Sequence, residues 1–146
     1  MTVSKQSRLT LAAETSPSEA TVRAIEAGLN AHSGSVGLNT DWSPRWIIGR
    51  DADGGVQAGI RFVAAFEWLF VNWLWVAEPY RKHGVGSELM GAAEAAAREQ
   101  GCRAAYLDTF TFQAPKFYER LGYREFGRLS DFPPGHSRIW FSKALV

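Results

Sequence analysis

The sequence predicts an α/β (or α+β) fold: a mixed, mostly antiparallel sheet flanked by helices, with one parallel strand–helix–strand unit. Three observations point there. Short runs rich in β-branched and aromatic residues alternate with glycine- and proline-containing breaks. One run, Trp68 to Val76, is apolar at nearly every position, which suits a central strand covered on both faces. Between it and a second strand-like run, Arg103 to Phe110, lies an alanine-rich helical stretch from Gly86 to Gln100. Two such strands joined by one helix make a right-handed parallel crossover.

In chain order, residues 1 to 6 are polar and expected to fray. Arg8 to Ala13 alternate weakly, with Leu9, Leu11 and Ala13 on one side, and read as a first strand. Ser16-Pro17-Ser18-Glu19 reads as a helix start, with Ser16 as cap, Pro17 in the first turn and Glu19 closing a capping box. That helix runs to about His32, with Val22, Ile25 and Leu29 on its apolar side. Ser33 to Ser43, rich in Gly, Ser and Asn, is a loop. Arg45 to Arg50 is a short strand, and Asp51 to Gly55 a hairpin turn whose glycines supply positive φ. Val56, Ala58, Ile60, Phe62 and Ala64 alternate as the next strand, with Arg61 on its other face. A tight connection at Ala65 to Glu67 leads into Trp68–Val76, which Glu78-Pro79 ends. In the long helix Leu89, Ala93, Ala96 and Ala97 share a face, Glu88, Glu94, Arg98 and Glu99 lie elsewhere, and Gly101 is the stop. Ala114 to Leu121 is a short helix closed by Gly122. Tyr123 to Leu129 and Ser137 to Ala144 are antiparallel strands joined by Ser130 to His136.

The 146 residues suffice for one domain spanning residues 1–146, and 46% hydrophobic composition argues against disorder. A net charge of +1 gives no general reason to expect nucleic-acid or membrane binding, so any phosphate affinity must be local. One cysteine, Cys102, excludes an internal disulfide, and it reads as a packed small residue. Three scattered histidines argue against a dedicated metal site. The N-terminus lacks a signal-peptide core and no apolar run reaches transmembrane length, so a cytoplasmic protein is expected.

The stretch Arg81-Lys82-His83-Gly84-Val85-Gly86-Ser87 joins the densest strand to the long helix. Its glycines permit a tight turn, and the helix start offers unpaired N–H groups at the positive end of the dipole. Arg81 and Lys82 add charge and Ser87 a hydroxyl, which together make a seat for a phosphate or pyrophosphate. The triphosphate-loop pattern is absent, and the dinucleotide fingerprint fails because Leu89 stands where its third glycine belongs. The alternative is a strand-to-helix turn that binds nothing.

Pro79 to Gly86 resembles the R-x-x-G-x-G motif of the GNAT superfamily of acyl-CoA-dependent N-acetyltransferases, and Ala114 to Tyr123 resembles that family's A-x-x-F-Y-x-x-x-G-[FY] signature. The resemblance implies a single GNAT-like domain in which Trp68–Val76 and Arg103–Phe110 splay at their carboxyl ends and acetyl-CoA lies in the gap. It implies CoA contacts by Leu74, Val76, residues Arg81 to Ser87, Phe117 and Thr111; at this last position relatives often carry Asn, and Gln113 is a possible substitute. It also implies that Tyr118 protonates the departing thiolate and that a backbone N–H near Val76 stabilises the oxyanion. Where some relatives carry a glutamate base this chain has Asn72, which leaves Glu67, Asp108 or a water chain from Asn72 as routes for the amine's proton. His83 is expected to face solvent or phosphate.

The acceptor is expected to be a small-molecule or peptide amine, in a chain compatible with a homodimer. Trp73 is within reach of the acceptor cleft, though a packed core tryptophan is the plainer reading. The Ser130–His136 connection, stiffened by Pro133-Pro134, can border that cleft through Asp131, Phe132 and His136, or can simply cap strand ends. Two other classes remain: a non-catalytic acyl-CoA-binding module, and a phosphate-binding structural domain with no thioester role.

Overall fold

The computed structural model describes residues 9–33, 37 and 41–146, in two units, Met1–Val36 and Gly37–Val146. In the first unit, helix α1 spans Glu19–Ser33. Its cap is Ser18 rather than Ser16: the Ser18 hydroxyl accepts the Thr21 N–H at 3.2 Å, so the first turn begins after Pro17. The strand expected at Arg8–Ala13 does not form over the described residues 9–13, where Leu9 and Leu11 are 82% and 89% exposed. A weak alternation makes a strand only where a sheet edge receives it. Arg8 and most of the Ser33–Ser43 loop lie outside the described residues.

The second unit is built on six strands, β1 (Arg45–Arg50), β2 (Val56–Ala65), β3 (Trp68–Val76), β4 (Ala104–Phe110), β5 (Arg124–Ser130) and β6 (Ser137–Ala144), with helices α2 (Val85–Glu99) and α3 (Pro115–Arg120). The spatial order is β1-β2-β3-β4-β6-β5, antiparallel throughout except for the parallel β3–β4 pair. The first hairpin closes as expected. Gly54 takes φ of +84°, and the Asp51 carboxylate accepts from the Gln57 side chain and the Asp53 and Gly55 N–H groups, which hold its carboxyl below the usual range.

One irregularity decides how β3 is used. Val71 pairs with Phe62 and Trp73 with Arg61, so Asn72 is an extra residue bulging from the ladder. The bulge reverses the side-chain parity. Leu69 and Val71 face the core before it, and Leu74 and Val76 face the core after it. Trp73 and Trp75 therefore join Trp68 and Phe70 on the opposite face, where they are 63% and 50% exposed. The expectation that β3 is covered on both faces is corrected here: β3 is central, but one face carries open tryptophans. Across that face Trp46, Arg61 and Trp73 stand in register on three adjacent strands, with the Arg61 guanidinium 5.7 and 5.2 Å from the two ring centroids.

The core lies between the other sheet face and α2, where Ile60, Phe62, Leu69, Ala105, Leu107 and Phe141 meet Leu89, Met90, Ala93 and Ala97. The alanines bring α2 close to the strands. Glu94, expected away from this face, is 5% exposed and belongs to it. Tyr123 Oη donates to Glu94 at 2.9 Å and Lys143 Nζ donates to both its oxygens at 3.1 and 3.0 Å. A buried carboxylate is tolerable only with such partners. The Glu94 cluster ties α2 to β6 and to the residue that enters β5. Burial and the neighbouring Glu94 charge hold the Tyr123 phenol far above its usual range.

Candidate active site

The β3–β4 pairing runs from Trp68↔Ala104 to Val71↔Leu107 and stops there, at the bulge. Beyond it the strands part, so β3 has a neighbour on one side only. The Ala77 N–H donates to the Gln57 carbonyl at 2.7 Å. That bond fixes the ladder's phase: by alternation, the main-chain groups of Trp75 and Trp73 point to β2, and those of Leu74 and Val76 point away from it into the fork. The Val76 carbonyl confirms the phase, because it accepts from Arg81 Nε at 2.9 Å rather than from β2. The Leu74 N–H and C=O and the Val76 N–H thus form an open edge, which can pair with an extended amide-containing chain.

A cleft of about 880 Å³ occupies the fork. Its mouth is the turn between β3 and α2. Lys82 has φ of +62° and Gly84 φ of +84°, and the first bond of α2 runs from Glu88 N–H to the Gly84 carbonyl. The N–H groups of Val85, Gly86 and Ser87 precede it and are unpaired within the helix, beside the exposed Arg81 and Lys82. A Cβ on Gly86 would sit 3.2 Å from the Phe117 ring, so that glycine lets the helix start approach α3. Gly84 meets open space and is required by its positive φ instead.

The far wall is α3. Phe117 and Tyr118 pack on the core side of the sheet, and the Tyr118 ring lies 6.2 Å from Tyr123 and 6.3 Å from Phe141 between centroids. The Tyr118 hydroxyl has no hydrogen-bond partner among the described residues. Burial, followed by the nearby Asp108 charge, pushes its phenol up to about 12, so it carries its proton throughout the neutral range. Asp108 lines the cleft from the opposite sheet face, with Trp73 and Trp75. Its Oδ1 accepts from Arg138 Nε at 2.6 Å. Asn72 stands at the vertex of the fork, and its Oδ1 is buried without a partner among the described residues.

The cleft therefore gathers Asn72, Trp73, Leu74, Val76, Arg81, Lys82, Gly84, Val85, Gly86, Ser87, Asp108, Phe117 and Tyr118 of the expected residues. His83, Thr111, Asp131, Phe132, His136 and Glu67 lie outside it. His83 is exposed beside the turn. The Thr111 hydroxyl accepts the Ser137 N–H at 3.0 Å and serves the β4–β6 pairing, while Gln113 lines the cleft with Oε1 accepting from Thr109 and the Phe110 N–H. The Asp131 carboxylate accepts the Gly135 N–H at 3.4 Å within the loop's own turn, and the His136 ring packs edge-on to Phe112 of the β4–α3 connection. Glu67 sits in the β2–β3 turn, at the end of β3 away from the fork, with its carbonyl bonded to the Arg103 N–H. Arg138 was missed. Its position beside Asp108 follows from β4 and β6 being neighbours, which no local pattern announces.

A sheet forked at a bulge, with three helix N–H groups unpaired at its mouth and a protonated phenol lining it, can seat an anion and offer a proton. The chain belongs to the Acetyltransferase (GNAT) family, whose profile matches residues 13–123. It is 43% identical over 83 residues to blasticidin-S acetyltransferase of Streptomyces morookaense, across 56% of this chain and 61% of that one. It is 37% identical over 94 residues to acetyltransferase Atu2258 of Agrobacterium fabrum, across 64% of this chain and 69% of that one. Among solved structures, an acetyltransferase from Bacillus cereus matches with a TM-score of 0.77 and 31% identity, covering 91% of this chain and 97% of that one. No helix among the described residues is long and apolar enough to cross a membrane.

Proposed function

We propose that the chain is an acetyl-CoA-dependent N-acetyltransferase acting on a primary amine of a small molecule, by direct attack in a ternary complex within one acetyltransferase domain. The observation that carries this reading is the open edge of β3 in the fork, in one cleft with the helix start and Tyr118. The three unpaired N–H groups, Arg81 and Lys82 suit a pyrophosphate, and the Leu74 and Val76 main chain suits an amide-bearing arm. A relative named for blasticidin-S supports a small-molecule acceptor.

The thioester supplies an acyl carbon open to an amine, and the chain's residues supply position and protons. The amine must shed a proton before attack, its ammonium pKa being about 10.4. As the C–N bond forms and the C–S bond breaks, the Tyr118 hydroxyl gives its proton to sulfur. The free thiol pKa is about 8.5. Of the two protons that nitrogen loses, one replaces the proton of Tyr118 and the other reaches water. Protonating Asp108 would break its ion pair with Arg138, so Asp108 serves by its charge and water carries the proton away. The Val76 N–H faces the fork and is the donor for the developing oxyanion.

Asn72, standing where a carboxylate base would serve, favours a second reading: a module that binds acyl-CoA without turnover. Thiol release from acetyl-CoA, measured with a panel of primary amines, separates the two. The enzyme releases thiol in step with acetylated amine. Tight CoA binding with no release above hydrolysis for any amine would leave only the module.

A further inference from the structure

Asp108 and Arg138 occupy the sheet face opposite α2 and α3, and their arrangement is specific. Register places Asp108 opposite Trp140 and Phe110 opposite Arg138 on the β4–β6 pair. The Arg138 guanidinium carbon lies 5.5, 5.4 and 5.0 Å from the ring centroids of Phe110, Phe132 and Trp140. Three rings thus hold the cation in place, and Phe132 belongs to the Ser130–His136 loop. From this cage Nε reaches Asp108 Oδ1 at 2.6 Å. Oδ2 receives no hydrogen bond from the described residues, and Asp108 lines the cleft.

We propose that the free oxygen of Asp108 anchors the acceptor's primary ammonium, and that Arg138 positions that oxygen and couples the Ser130–His136 loop to the cleft. The inference rests on the acetyl-transfer reading, because it names where that reaction's amine sits before it loses its proton. An alkylammonium offers three donors to a carboxylate oxygen and can lay its chain on the exposed Trp73 ring, which lines the same side of the cleft. A neutral alcohol of the same shape gains far less. Arg138 cancels much of the far field of Asp108, so the attraction acts at short range, and the direction in which Oδ2 is held sets where the amine nitrogen sits. The loop therefore reaches the acceptor through Phe132 and Arg138, although Asp131 and His136 stay outside the cleft.

The test titrates n-butylammonium chloride and, separately, 1-butanol into the protein, alone and with CoA, following the Trp73 indole and Thr109 amide signals by NMR. The wild type should prefer butylammonium by about tenfold or more, the scale of one charge-assisted hydrogen bond. Asp108→Asn should erase the preference, while Arg138→Gln should keep it, since it removes a competing cation. With the best amine from the thiol-release panel, Arg138→Gln should lower kcat about tenfold without raising KM, Phe132→Ala should act in the same direction, and Arg138→Lys should recover part of the loss. A butylammonium preference that survives Asp108→Asn, or that Arg138→Gln abolishes as fully, overturns the proposal. Thiol release that fails while the preference obeys this pattern strikes the acetyl-transfer reading alone. Normal release without the preference strikes only the anchor.

Discussion

Replacing Tyr118 with Phe separates a catalytic phenol from a packing ring, because the structure gives the two roles opposite signatures. The ring of Tyr118 touches Phe117, Tyr123 and Phe141, and Phe keeps all of those contacts. The hydroxyl has no partner among the described residues, so deleting it breaks no hydrogen bond there. Stability should change by less than about 1 kcal/mol, in either direction. Turnover should behave otherwise. A phenol pushed up to about 12 is protonated in all but about one molecule in ten thousand at pH 8, so it can serve a departing thiolate at any ordinary pH. Loss of a general acid costs about 10² to 10⁴ in rate, which is about 3 to 5 kcal/mol of barrier. The control is Tyr123→Phe, which removes a hydrogen bond to the buried Glu94 carboxylate and should cost about 1.5 to 3 kcal/mol of stability. Urea denaturation and steady-state kinetics at saturating acetyl-CoA and amine check both variants. A Tyr118→Phe protein that turns over like wild type, or that loses as much stability as Tyr123→Phe, would refute the assignment.

Three further outcomes are expected. Gly86→Ala places a Cβ 3.2 Å from the Phe117 ring and should weaken CoA binding by displacing the helix start from α3, whereas Gly91→Ala, which meets open space, should leave the affinity measured by calorimetry unchanged. Arg81→Ala should weaken CoA binding and flatten its salt dependence, because one charge facing the phosphates is lost; equal salt slopes for variant and wild type would place the phosphates elsewhere. Tyr118 keeps its proton in the folded chain where the unfolded chain has lost it, so its stabilisation is complete below pH 10 and falls away as pH rises from 10 towards about 12. The loss is about 3 kcal/mol at most, and denaturation curves at pH 9 and pH 11 should show a smaller drop for Tyr118→Phe than for wild type.

Much of this arrangement was legible in the sequence, for identifiable reasons. The strand limits of β1, β2, β3 and β6 follow from alternation and from the glycines and prolines between them, which act over a few residues. The turn at Arg81–Ser87 was legible because glycine conformation and helix-end chemistry are local. The bulge at Asn72 was not, since it exists only against the register of β2, and with it went the faces of Trp73 and Trp75. Glu94 follows Met90 and precedes Ala97 at helical spacing, on the buried face, yet its charge argued for solvent. Its partners Tyr123 and Lys143 stand on a later segment and a later strand. The Asp108–Arg138 pair was hidden in the same way, by a contact that needs the strand order. The Ser130–His136 loop carried suggestive residues, but the Asp131 carboxylate turns back on the loop and the His136 ring packs on Phe112.

The open edge of β3 and the start of α2 are expected to receive CoA together. Amide hydrogen exchange with and without CoA tests it residue by residue. On saturation, exchange at Leu74 and Val76 and at Val85 to Ser87 should slow together, while Leu69 and Val71 in the paired part of β3 should stay as they were. Unchanged exchange at Leu74 and Val76 in a protein that calorimetry shows to be saturated with CoA would place the CoA arm away from β3.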